Sequence, residues 1–170
     1  TWVKFSSLNL PEATHYILAY APDDQKIGYA FNQYGARMLF YFVSPTGASN
    51  ISVLNALTTN VWYNLVLVNN NGALTAYING VNRGTGTTNG AVTTTQPFTI
   101  GSGSNSPDMT IDDVRIYNRA LSPAEVAQLY TQGGGKISKS NSSNSLKNGL
   151  VGWWTFDGKD VTADTTTDSS

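Results

Sequence analysis

The sequence contains no cysteine, which excludes disulfide staples and thiolate metal sites. Charge is scarce as well: 12% of the 170 residues are Asp, Glu, Lys or Arg, about half the usual share, and the net charge is −1. The basic residues stand singly, so the clustered positive footprint that nucleic acid or an anionic membrane surface requires is missing. No apolar run approaches the roughly 20 residues of a membrane helix, so membrane insertion is not expected. No basic-then-apolar leader opens the chain either. It starts at Thr1-Trp2-Val3-Lys4-Phe5, already in strand-like alternation, and reads as an excerpt of a longer polypeptide.

What is present is 40% apolar residues and an abundance of Thr, Asn, Ser and Gly, the mixture that short strands joined by neutral polar turns leave behind. Such surfaces without cysteine are common in bacterial exported proteins. Residues 15–21, His-Tyr-Ile-Leu-Ala-Tyr-Ala, form an aromatic and β-branched run that Pro22-Asp23-Asp24 breaks. Strands 27–32 and 37–43 flank Gln33-Tyr34-Gly35-Ala36, a hairpin spacing. The strongest hairpin signal is Trp62 to Val68, then Asn69-Asn70-Asn71-Gly72, then Ala73 to Asn79 bounded by Gly80. Further strands are expected at Phe98-Thr99-Ile100 and from Met109 to Tyr117. One helix is expected over residues 122–130, with Ser122 as N-cap, Pro123 at its first position and Glu125 three residues after the cap. The Gly-, Ser- and Asn-rich stretch 131–148 has little to bury and reads as a flexible linker. After it, residues 149–158 restart a strand pattern.

The hairpin of Trp62 to Gly80, Phe98-Thr99-Ile100-Gly101, and above all Ile111-Asp112-Asp113-Val114-Arg115-Ile116-Tyr117-Asn118-Arg119-Ala120-Leu121-Ser122 resemble the laminin G-like family. The resemblance covers residues 1–130. It implies an all-β, antiparallel two-sheet jelly-roll sandwich of the concanavalin A-like kind, with the one short helix near 122–130. Gly149-Leu150-Val151-Gly152-Trp153-Trp154-Thr155-Phe156-Asp157-Gly158 also resembles this family, but the opening strand of its domain. In the family's order such a strand precedes several dozen residues that do not occur ahead of Trp2. Two arrangements follow: the chain joins most of one tandem repeat to the start of the next, or residues 149–170 pack back on 1–130 and fill the first-strand place. The second is favoured, because an unpaired strand holding two tryptophans would be an adhesive edge. Exchange of this segment with a neighbouring repeat or chain is the corresponding partner expectation.

Catalysis is argued against by the acids. Retaining glycosidases of related fold need two carboxylates ~5 Å apart, yet the only glutamates, Glu12 and Glu125, lie off the expected strands. The nine aspartates fall in turns, in Asp112-Asp113 and in the tail. The single histidine, His15, has no acid nearby in sequence for a nucleophilic triad and reads as a structural or surface residue. For metal, the position of Asp112 resembles the last-strand aspartate that holds a structural calcium in related jelly rolls, which implies Ca2+ at Asp112 with Asp157 and Asp168 from the tail. The alternative is that these aspartates are solvent-facing. For sugar, strand alternation sets Met38, Phe40 and Phe42 opposite Tyr41, and Leu74, Ala76 and Ile78 opposite Tyr77. That makes Tyr41 and Tyr77 candidate stacking platforms on one sheet, with Tyr20, Tyr29 and Tyr34 behind them as loop residues; ordinary half-buried packing is the competing reading for each. The expected function is a non-catalytic recognition or adhesion module of a secreted or cell-surface protein, binding a glycan or other surface ligand. The alternatives are a structural spacer repeat in a surface array and, more weakly, a glycosidase or lyase.

Overall fold

The computed structural model describes residues 1–8, 15–20, 28–34, 36–44, 47–88, 98–101, 107–133, 145–157, 161–162 and 165–166. Its strands are β1 (Trp2–Phe5), β2 (His15–Tyr20), β3 (Gly28–Tyr34), β4 (Arg37–Ser44), β5 (Gly47–Val53), β6 (Trp62–Asn70), β7 (Ala73–Ile78), β8 (Val81–Thr87), β9 (Phe98–Ile100), β10 (Met109–Asp112), β11 (Val114–Tyr117), β12 (Leu150–Trp154), β13 (Val161–Thr162) and β14 (Thr165–Thr166). One sheet runs β10-β1-β6-β7-β8 and the other β5-β4-β3-β2-β9, every pairing antiparallel; β11-β12 and β13-β14 are separate pairs.

Local chemistry accounts for the hairpins. Asn70 pairs with Ala73 around Asn71-Gly72, and Ile78 pairs with Val81 around Asn79-Gly80. Both loops have positive φ at both residues (50° and 95°, 55° and 74°), the two-residue turn whose twist suits adjacent strands. The second of these turns carries the chain into β8, a strand whose Gly-rich sequence gives no period-2 apolar signal. Likewise the segment expected as one strand from Met109 to Tyr117 is two. Asp113 sits between them at φ 51°, and around it the alternation slips by one: Met109 and Ile111 pack on the core, and so does Val114.

The core lies between the sheets. Val3, Phe5, Ile17, Met38, Phe40, Phe42, Leu65, Leu74, Ala76 and Val114 are essentially inaccessible to water there. Each of these side chains other than Ala76 contributes about 1.5–3 kcal/mol by burial. On the outer face of the β6–β7 region lies α1 (Pro123–Gln132), with the Ser122 side chain accepting from the Glu125 amide and Glu125 reaching back to the Ser122 N–H. Its buried Val126 and Leu129 meet Val68, Tyr77, Leu121 and Leu146 in a second, smaller core. Leu146 corrects the linker expectation over its last residues: Ser145–Lys147 forms a 3-10 turn, and Leu146 is wholly buried beside α1. At its other end Thr131 and Gln132 belong to α1, with Gly133 as its cap, and 134–144 lie outside the described residues.

Candidate functional site

β12 lies antiparallel to β11, with Val114 opposite Trp154 and Arg115 opposite Trp153. The pair is tied by a buried ionic knot. Arg115 donates to Asp113 Oδ1 through Nε at 2.9 Å and forms an ion pair through NH2 at 2.8 Å; the two side chains are 5% and 4% exposed. Trp153 Nε1 donates to the same carboxylate oxygen at 2.6 Å, and the guanidinium lies 4.8 Å from the Trp153 ring centroid. Removing one member of such a buried pair typically costs about 3–5 kcal/mol. Sequence reasoning gave Asp113 no role, because its partners stand two and forty positions away.

Beside this knot, Arg119 forks onto Glu125, NH2 to Oε1 at 2.7 Å and NH1 to Oε2 at 3.0 Å, and donates to the Asn148 carbonyl at 2.7 Å. The guanidinium and the Ser122 amide hold the Glu125 carboxyl well below the usual carboxylate range. Between β6 and β11 opens a cavity of about 740 Å3, walled by Leu65, Leu67, Phe31 and Phe98 and bordered by Tyr117 and Arg119. Nothing in the sequence marked it, since it depends on which strands fail to meet.

Asp112 is the candidate metal ligand whose surroundings are best defined. Its Oδ1 is buried with no hydrogen-bond partner. Burial raises its pKa, and the charges of Asp113 and Asp157 add to the rise. An orphaned oxygen beside like charge is the kind of setting that a divalent cation would relieve. Among the described residues no group of three acidic or imidazole side chains converges, so carbonyls or water would complete the shell. Asp168 lies outside the described residues.

The tyrosines separate. Tyr41 is half-buried on β4, on the face opposite the buried Met38, Phe40 and Phe42, and its register partner on β5 is the exposed Asn50. Tyr77 does not join it. It belongs to the other sheet and is 7% exposed, packed with Val126 and Leu129. Period-2 alternation placed Tyr77 away from the main core correctly, but the face it points to is roofed by α1. Tyr20, Tyr29 and Tyr34 are strand residues of β2 and β3 rather than loop residues, in the same sheet as Tyr41; their side chains lie outside the description.

A two-sheet antiparallel sandwich with one outer face roofed by a single helix defines a laminin G-like β-sandwich. Residues 1–127 match the family model described as the concanavalin A-like lectin/glucanases superfamily, and the chain belongs to that superfamily. Among solved structures it is similar to the botulinum neurotoxin serotype D binding domain (17% identity, TM-score 0.59, covering 76% of this chain and 34% of that one). It is also similar to the botulinum neurotoxin type G receptor binding domain (13%, 0.53, 76% and 36%). At these identities the likeness is one of fold, and the chain spans about a third of the length of those domains. No curated protein matches it significantly. Among the described residues no helix is long and apolar enough to cross a membrane.

Proposed function

We propose that the chain is a non-catalytic recognition module of a secreted or cell-surface protein, with carbohydrate as its ligand on the outer face of the β5-β4-β3-β2-β9 sheet. The observation that carries this reading is the asymmetry of the sandwich. One outer face is roofed by α1, whereas over the other, among the described residues, no helix or apolar cluster lies, and Tyr41 stands there half-buried beside Asn50. A tyrosine ring offers a flat apolar surface to pyranose C–H groups, and a neighbouring amide can bond the hydroxyls. Superfamily membership and the likeness to a neurotoxin binding domain and to a neurotoxin receptor binding domain support a binding role. Asp112 and Asp157 would hold a structural calcium ion that supplies positive charge to the buried carboxylate and fixes the end of β10 against the segment after β12.

The test is a glycan array followed by calorimetry, with and without EDTA. Tyr41→Ala should weaken any oligosaccharide bound at least tenfold without lowering the thermal midpoint. EDTA should lower the midpoint of the native chain and leave that of Asp112→Asn unmoved. A chain that binds no sugar and is indifferent to EDTA would instead be a structural spacer, a second reading favoured by the burial of Tyr77, one of the two expected platforms. Hydrolysis of a polysaccharide by the purified chain would overturn the non-catalytic assignment.

A further inference from the structure

Four asparagines are followed by glycine: Asn71, Asn79, Asn89 and Asn148. Such a pair can react with itself, because the glycine nitrogen, with no Cβ beside it, can reach the carboxamide carbon of the asparagine. Three of the four lie within the described residues, and the fold treats them differently. At the β6–β7 turn the Gly72 N–H donates to Asn69 Oδ1 at 2.8 Å, so the nitrogen that would attack is engaged. At the β7–β8 turn Asn79 Oδ1 accepts from the Asn64 amide at 2.8 Å, which fixes the carboxamide, and a Cβ on Gly80 would meet Tyr130 at 3.2 Å. Both sites are closed.

Asn148 is exposed and is bonded through its backbone instead. Its N–H donates to the Ser145 carbonyl at 3.0 Å, and its own carbonyl accepts from Arg119 Nε at 2.7 Å. That carbonyl belongs to the peptide unit whose nitrogen is Gly149. Attack requires this nitrogen to shed its proton, and amide resonance shares the resulting negative charge with the carbonyl oxygen. Arg119 therefore touches the atom where charge develops, and a neighbouring cation favours the charged form. The guanidinium is already in place: it forks onto Glu125 at 2.7 and 3.0 Å and donates to the Ser145 and Ala120 carbonyls. Glu125 offsets part of the charge, yet it also holds Nε on the Asn148 oxygen, as a preorganised donor. Gly149 has φ 74°, and a Cβ there would fall 2.7 Å from Asn118 Oδ1 and 2.9 Å from Arg119 Cγ, so the position demands glycine and the attacking nitrogen stays unshielded.

We propose that Asn148-Gly149 is a self-modifying site, at which Arg119 promotes intramolecular deamidation of Asn148. The Gly149 nitrogen loses its proton and bonds to Asn148 Cγ, the Cγ–Nδ2 bond breaks, and ammonia leaves a cyclic imide behind. Water then opens the imide at either carbonyl, giving aspartate or isoaspartate, with nothing oxidised or reduced. Isoaspartate adds one carbon to the backbone directly ahead of β12, where the Asn118 N–H bonds the Gly149 carbonyl at 2.8 Å and Leu150 pairs with Tyr117. A longer backbone here takes the strand out of register, and the new carboxylate competes with Glu125 for Arg119. The hold of β12 on β11 thus carries a chemical clock. The site shares no residue with the Tyr41 face or with Asp112 and Asp157, so it stands or falls apart from the carbohydrate reading.

The test follows each Asn-Gly pair of the full chain by peptide mapping over time, with enzymatic methylation of isoaspartate as a second readout. Asn71 and Asn79 should convert at least tenfold more slowly in buffer than in urea, whereas Asn148 should convert at least as fast in buffer as in urea. Arg119→Gln removes the charge and keeps an amide donor; it should slow Asn148 at least fivefold and leave Asn71 unchanged. Mere loosening of the segment would act in the opposite direction. A rate at Asn148 that folding lowers, or one that Arg119→Gln leaves unchanged or raises, would overturn the proposal.

Discussion

At the scale of single residues, Gly84 shows how closely the two sheets approach at their β5 and β8 edges. A Cβ added there would lie 2.6 Å from Ile51 Cγ2, an atom one bond from the branch point and unable to swing away. Gly84→Ala should therefore destabilise the fold by about 1–3 kcal/mol, the usual cost of overpacking, in urea unfolding, and the same substitution made in an Ile51→Ala background should cost less. Absence of any cost would mean that the edges part readily. Glu125 makes a pH-dependent contribution. Its folded pKa is depressed by Arg119 and the Ser122 amide, so its stabilisation is present above the unfolded carboxylate value of ~4.3 and is lost as pH falls towards the folded one. The thermal midpoint of the native chain should fall more steeply below that value than the midpoint of Glu125→Gln; parallel curves would show that the fork contributes nothing. Ser122, Pro123 and Glu125 could be read in sequence because a cap uses residues three apart. The Asp113, Arg115 and Trp153 knot could not, because it forms only once β12 lies beside β11.

At the scale of elements, short-range patterns foretold β1, β2, β3, β4, β6, β7, β9, β12 and α1, and β5, β8 and the turn at Ser145–Lys147, which they missed, share a cause. β8 is rich in glycine and threonine and largely exposed, so it follows β7 through the turn at Asn79-Gly80 rather than through any pattern of its own. β5, Gly-Ala-Ser-Asn-Ile-Ser-Val, is similarly polar and is held by its pairing with β4. The turn at Ser145–Lys147 carries one apolar residue in a polar stretch, too little for periodicity to register, yet that residue closes the smaller core. Leu146→Ala should cost about 2–5 kcal/mol, as a fully buried leucine does, and should raise hydrogen exchange in α1 more than in β3 or β4. A uniform rise across both sheets would contradict the division of the interior into two clusters.

At the scale of the whole molecule, the sandwich depends on chain far outside any one hairpin. A chain ended at Gly133 would lose Leu146, Trp153 and the strand partner of β11, leaving Asp113 with Arg115 alone. Against a usual total of 5–15 kcal/mol, losses of that kind should abolish cooperative thermal unfolding or lower its midpoint by at least ~10 °C; an unchanged melt would show that β12 is dispensable. The candidate site was legible only in part for the same reason. Alternation gave the faces of β4 and β7 correctly, but which sheet each strand joins is decided by pairings that a hydrophobic pattern does not record, and so Tyr41 and Tyr77 were set on one surface when they lie on two.

Those distant pairings also order events in time. The meanders β2-β3-β4-β5 and β6-β7-β8 need only neighbouring chain and can form early, whereas the β1–β10 pairing waits for chain more than a hundred residues later, and the β2–β9 pairing for chain about eighty residues later. Loop closure of that length is slow. As the polypeptide emerges, Phe40, Phe42 and Leu65 therefore face water until the second half is made, and throughout that interval the newborn chain is at its most exposed to aggregation and to proteases.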